Sequence, residues 1–183
     1  MIDKIIIIKL SVRMKKKKIL VIGASGSGKS FVAKKLRLSR VNAVDADLIE
    51  GLHGWYDGKG QKVAFPIGAG KDFLDNHQFL WDKNFLREYL KENNKVWLFG
   101  LSGNIFEMVD MFDKVYFLKV EPGILIERLD KKDRINPMGK TEYQKKAVVE
   151  YAKKIERTAK SLKIEFIDGT LAPEEIKKII EEG

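Results

Sequence analysis

Gly23-Ala24-Ser25-Gly26-Ser27-Gly28-Lys29-Ser30 follows the apolar run Ile19-Leu20-Val21-Ile22 and leads into Phe31-Val32-Ala33-Lys34-Lys35-Leu36. Glycine, four residues, then Gly-Lys-Ser, set between a strand-like run and a helix-like one, is the pattern of a loop that wraps a polyphosphate. Glycines let successive backbone N–H groups turn inward, and the helix that follows points its unpaired N–H groups and positive dipole end at the same anion. In such a loop the lysine, here Lys29, reaches the β and γ phosphates, and the hydroxyl of Ser30 is offered to Mg²⁺. Gly23, Ser25, Gly26, Ser27, Gly28, Lys29, Ser30 and Phe31 are therefore the expected nucleotide-binding residues.

Downstream, Val41-Asn42-Ala43-Val44 reads as a short second strand ending in Asp45-Ala46-Asp47. Ligands of open parallel sheets sit at the carboxyl ends of strands, where these two acids fall. Side chains two apart on an extended segment point the same way, so one carboxylate is suited to hold a metal through water and the other to accept a proton from an attacking hydroxyl. A plain acidic cap before Leu48-Ile49-Glu50 is the competing reading. The next apolar strand, Lys95 to Gly100, ends without the aspartate that commonly serves as a second metal carboxylate, which favours the functional reading of Asp45 and Asp47. Its glycine turn, Gly100-Leu101-Ser102-Gly103-Asn104, supplies backbone and side-chain donors for an acceptor substrate, with Gly100, Ser102 and Gly103 as the expected contacts.

Residues 51–77 carry many glycines with Pro66 among them and little periodicity, which predicts an irregular functional loop. His53, Trp55, Tyr56 and Phe65 within it are suited either to stack on a flat substrate or to form a small satellite core. His53 and His77 are the only histidines and lack metal-ligand spacing. Phe79, Leu80, Phe85, Leu86, Tyr89 and Leu90 follow helical spacing, and a further helix is expected around 105–111. After a fourth strand, Lys114 to Val120, a helix over 124–132 carries Arg128, and Arg134 follows in a Pro- and Gly-bearing segment before a long helix from about Thr141 to Ser161. Fixed guanidinium charges suit a transferring phosphoryl group, and such a segment between two helices suits a closing lid at about 131–141. The fifth strand, Ile164 to Ile167, ends in Asp168-Gly169-Thr170, again at a carboxyl strand end.

The chain has 183 residues, 44% of them apolar, enough for one sizeable core. With no cysteine, disulfides and thiolate metal sites are excluded, and a cytoplasmic setting is expected. No apolar run approaches the ~20 residues of a membrane span. The net charge of +9 is concentrated at the start, where Lys4, Lys9, Arg13 and Lys15 to Lys18 face Asp3 alone. Such a segment either attracts nucleic acid or is a solvated tail. Residues 1–13 are expected to lie outside the core, with residues 14–183 forming a single domain.

Taken together, the phosphate loop, Asp45-Ala46-Asp47, Gly100-Leu101-Ser102-Gly103, Arg128, Arg134 and Ile167-Asp168-Gly169-Thr170 with Pro173 resemble the small P-loop kinases of the nucleoside-monophosphate-kinase fold. That family includes adenylate, shikimate and gluconate kinases, and small bacterial ATP-binding proteins are similar too. The resemblance implies ATP and Mg²⁺ as cofactors, Arg128 and Arg134 at the phosphates, Asp45 near Mg²⁺, Asp47 near the acceptor and the backbone at Thr170 near adenine. The expected fold is an α/β/α sandwich around a five-stranded parallel sheet of order 2-3-1-4-5. Catalytic roles fall to Lys29, Asp47, Arg128 and Arg134. The chain departs from shikimate kinases in having no arginine between Arg40 and Arg87. The expected partner is a small-molecule or nucleotide acceptor, with the protein a monomer or homodimer. A nucleic-acid end kinase and a nucleotide-binding switch without an acceptor are the competing functions.

Overall fold

The computed structural model describes residues 17–66, 68–131 and 136–183. Strands and helices are numbered along the chain. Ile19, Leu20, Val21 and Ile22 of β1 (Lys18–Ile22) are each fully buried, with both faces covered. An apolar run without alternation is what a central parallel strand requires. Its neighbours are β6 (Val96–Phe99) and β7 (Lys114–Lys119), flanked by β2 (Ala43–Asp45) and β8 (Glu165–Asp168). All four pairings are parallel, and the order β2-β6-β1-β7-β8 is the expected 2-3-1-4-5. Every carboxyl strand end therefore opens on one side of the molecule.

Helices cover both faces. α1 (Lys29–Leu38) and α6 (Pro173–Glu182) send Val32, Leu36, Ile176 and Ile180 against Ile19, Val21, Phe99 and Leu118. On the opposite face, α3 (Lys83–Glu92), α4 (Pro122–Leu129) and α5 (Glu142–Ser161) bury Leu86, Leu90, Leu125 and Ile155 against Leu20, Ile22, Leu98 and Phe117. The result is the α/β/α sandwich expected from the sequence. The expected extension over residues 1–13 lies outside the described residues.

Three expectations are corrected. The stretch 51–77 is not an irregular loop. β3 (His53–Tyr56), β4 (Lys62–Val63) and β5 (Gln78–Trp81) form a separate antiparallel sheet of order β4-β3-β5, with α2 (Lys71–Asn76) lying between β4 and β5 in the chain. Phe79 and Leu80 belong to that sheet and not to a helix. Asp82 caps α3, its carboxylate accepting from the N–H groups of Asn84 at 2.8 Å and Phe85 at 3.0 Å, so the helix begins at Lys83. The apparent helical spacing from Phe79 to Leu90 thus runs across a strand-to-helix junction. Around 105–111 the chain makes two short 3₁₀ turns, Ile105–Glu107 and Val109–Met111, interrupted at Met108, whose φ of −123° is not helical. Burial of Ile105 and Met108 decides this local path.

Candidate active site

The phosphate loop leaves β1 at Gly23 and enters α1 at Lys29. Gly26 and Gly28 sit at φ of +85° and +100°, which glycine adopts without strain. Side chains would not fit here: a Cβ on Gly28 would lie 3.3 Å from the guanidinium of Arg128, and one on Gly23 would lie 2.7 Å from Ser27 Oγ. No side chain caps the first turn of α1, so its N-terminal dipole faces the hollow. Lys29 curls back over the loop, its Nζ donating to the carbonyls of Gly23 at 2.7 Å and Ala24 at 3.0 Å. The ammonium therefore rests at the mouth of the hollow. Ser30 and Phe31 are exposed beside it, with Lys35 Nζ 5.7 Å from the Phe31 ring centre. Ser27 is buried, and its hydroxyl has no hydrogen-bond partner among the described residues.

Arg128 comes from the last turn of α4, and its guanidinium does not stand free in the hollow. It donates to the carbonyls of Ser27 at 3.1 Å, Gly26 at 3.5 Å and Gly169 at 3.1 and 3.2 Å. One planar group thereby ties the phosphate loop to the turn after β8, a geometry that a lysine ammonium cannot reproduce. In that turn Thr170 donates through N–H and hydroxyl to Asp168, and these bonds, together with the charge of Arg128, lower the Asp168 pKa. Gly169 is pressed so close to the loop that a Cβ there would sit 3.0 Å from the Ser27 carbonyl. Arg134 and Lys132 lie outside the described residues, as does part of the expected lid.

Asp45 ends β2, and Asp47 sits one residue into a 3₁₀ turn over Ala46–Leu48. The two acids are thus not on one extended segment, and the cap reading holds in part: the Asp45 carboxylate accepts from the Asp47 N–H at 3.1 Å. Both still line the cleft. The donors expected at the turn after β6 are largely taken up by the protein. Gly100 lies beneath Trp81 and Ala46, with its N–H donated to Val21. The Gly103 N–H donates to Phe79 at 2.7 Å. The hydroxyl of Ser102 donates to the Asn104 side chain at 2.8 Å, and Asn104 exchanges two hydrogen bonds with the backbone of Trp81. This turn therefore anchors the antiparallel sheet to the strand ends.

That sheet brings an aromatic group over the acids. His53 Nε2 lies 3.2 Å from the Asp47 carbonyl, within donating distance, and its ring packs 5.1 Å from Phe79. Trp55 contacts Phe65, Phe73 and Phe79 at 5.1 to 5.7 Å. From α5, Tyr151 points its hydroxyl at the Ser102 carbonyl, and burial pushes its phenol pKa up, keeping it a neutral donor. The cleft running from the phosphate loop past the acids to these rings has a volume of about 2030 Å³. That exceeds the roughly 300–1,000 Å³ of a pocket for one small molecule.

One residue escaped the sequence reading. Gln144, fully buried, accepts the N–H groups of Gly139 at 3.0 Å and Lys140 at 2.8 Å, and donates to the Ala69 carbonyl at 2.8 Å. It joins the end of the lid segment to the antiparallel sheet region. Thr141-x-x-Gln144 is a helix-capping signature, and Thr141 does accept the Gln144 N–H at 3.2 Å. The distant partner, Ala69, left no trace in the local pattern.

No family model matches the chain, and no curated protein matches its sequence. Among solved structures, it is similar to shikimate kinase from Acinetobacter baumannii in complex with shikimate, with a TM-score of 0.56 and 16% identity, over 91% of this chain and 93% of that one. It is also similar to deoxyadenosine kinase from M. mycoides with bound dATP, with a TM-score of 0.50 and 13% identity, over 90% and 98% of the two chains. At these identities the shared property is architecture: the chain has the fold of P-loop kinases.

Proposed function

We propose that the chain is an ATP- and Mg²⁺-dependent phosphotransferase, with residues 14–183 as one kinase domain, an acceptor region at about 51–77 and a lid at about 131–141. The observation that carries the reading is the hollow itself. An uncapped helix terminus, two glycines at positive φ and a lysine ammonium that donates to its own loop's carbonyls converge there. A polyphosphate satisfies all three at once.

The oxygen donors suit Mg²⁺ only in company with such a ligand. Among the described residues no three His, Cys, Asp or Glu cluster as a metal site, whereas Mg²⁺ is commonly held through one or two protein oxygens, waters and substrate phosphates. Ser30 and Asp45 would hold it, Asp45 through water, and when bound it supplies charge neutralisation at the β and γ phosphates. Lys29, which donates to the carbonyls of Gly23 and Ala24, would hold the β and γ phosphate oxygens. Arg128 holds the loop in shape and adds fixed positive charge beside Gly28, and the backbone near Thr170 meets the base. Asp47 accepts the proton of the acceptor hydroxyl as that oxygen bonds to the γ phosphorus and the bond to the β phosphate oxygen breaks, releasing ADP. Arg134, from the lid, closes over the transferring group. Gly100, Ser102 and Gly103 contribute chiefly by fixing the acceptor side in place.

The test is ADP release over nucleosides, nucleotides, sugar acids, polyols and RNA ends, with Lys29→Ala and Asp47→Asn alongside. Lys29→Ala is expected to lose about 3–4 kcal/mol of transition-state stabilisation, on the order of 10²–10³ in rate. A Lys29→Ala protein with full turnover refutes the assignment.

A further inference from the structure

Six rings from the antiparallel sheet and α2 pack side by side: His53, Trp55, Phe65, Phe73, His77 and Phe79. None of them is buried, in contrast to Phe99, Tyr116 and Phe117 of the parallel sheet, which are sealed. A satellite core would close its rings away from water, yet five of the six line the cleft that also holds Asp47 and the phosphate loop. Trp55 and Phe79 face each other across β3 and β5, on the face that carries His53 towards Asp47. Phe73 and His77 are stacked at 4.1 Å and 9°.

We infer that this surface is the acceptor subsite and that it selects an acceptor built on a flat heteroaromatic ring, of the nucleoside class, over polyols and sugar acids. The inference rests on the kinase reading for the position of the reacting hydroxyl. Two observations set the class. Trp55 lies 5.1 to 5.7 Å from Phe65, Phe73 and Phe79, and Phe65 lies 5.5 Å from Phe73, so ring packs on ring along a wall that offers a face for stacking. An acid acceptor calls for a guanidinium fork beside it, and the arginines that line the cleft, Arg37, Arg128 and Arg157, come from α1, α4 and α5, while the segment that carries the rings has none from residue 41 to residue 86. Stacking on the wall leaves the acceptor's hydroxyl arm free to extend to Asp47, while the strand order puts the turn at Gly169 and Thr170 on the other side of β1. Two rings, the donor's base and the acceptor's, thus occupy opposite ends of one cleft.

Tryptophan fluorescence reads this directly, because Trp81 and Trp97 are buried and Trp55 is partly open. The full chain, in excess MgADP, is titrated with adenosine, thymidine and cytidine, and separately with ribose, gluconate and choline. Saturable quenching by nucleosides alone is expected. By calorimetry, Trp55→Leu is expected to weaken nucleoside binding at least tenfold and Trp55→Phe to stay within threefold, with Phe79→Leu as a second loss variant and circular dichroism confirming folding. The inference is overturned if no nucleoside quenches, if ribose, gluconate or choline binds as tightly, or if folded Trp55→Leu and Phe79→Leu both bind unchanged. Heat from MgADP without nucleoside binding sinks the aromatic subsite and spares the kinase reading. Nucleoside binding without heat from MgADP does the reverse.

Discussion

The parallel sheet and the antiparallel sheet solve different problems with similar residue types. In β1 and β6 every apolar side chain is buried, and each strand is held on both sides by neighbours and on both faces by helices. Across 51–81 only Leu52, Ala69 and Trp81 among the described apolar residues are buried, and the rings stand partly open. The first region is sealed on all sides and presents the backbone groups of the loop after β1 to the hollow. The second leans on the first through Asn104, Gly103 and Gln144, and spends apolar surface on the cleft. Sealed and partly open apolar surface thus fall to separate sheets.

Four substitutions sharpen or break that contrast. Leu98→Ala, in the sealed core, is expected to cost about 2–5 kcal/mol by denaturant unfolding, as large-to-small changes at closed sites do. Gln144→Leu strands the N–H groups of Gly139 and Lys140 and the carbonyl of Ala69, for a loss of about 1–3 kcal/mol. Hydrogen exchange should then quicken at residues 139 and 140 while β1 amides keep their protection; equal loosening of β1 breaks the division. Phe65→Ala should cost only about 1 kcal/mol, roughly half of what full burial of a large apolar side chain contributes. A loss matching Leu98→Ala would mean the antiparallel sheet is as sealed as the parallel one. The smallest effect is electrostatic. Asp168 has its pKa lowered in the folded chain, so its contribution is present above the unfolded carboxylate pKa and is lost as pH falls through the folded one. Asp168→Asn should lower stability slightly at neutral pH, where that contribution is present, and flatten the acid limb of the stability curve, the two proteins converging at low pH.

The parallel half was legible because its signals are local. A glycine pattern of fixed spacing between an apolar strand and a helix has few other uses, and β1, β6 and β7 are continuous apolar runs of strand length. The antiparallel half was not, because its pairing is non-local and its strands are short. β4 has only Lys62 and Val63, and β3 contains Gly54, so neither shows a period. Phe79 and Leu80 looked helical because strand and helix happened to abut in phase. At Asp45-Ala46-Asp47 the position at the end of β2 was legible and the backbone was not, since a side-chain cap turned an extended segment into a 3₁₀ turn. The reach of Arg128 to Gly169, across 41 residues, could not be read from spacing at all.

That reach sets an interval. Because one inflexible fork grips the carbonyls on either side, the stretch between the anion hollow and the turn after β8 is held like a caliper at a single opening. On the kinase function proposed above, a donor would be gauged by how many phosphoryl units separate its base from its terminal group, and substituting a supple ammonium for the fork would let that gauge drift.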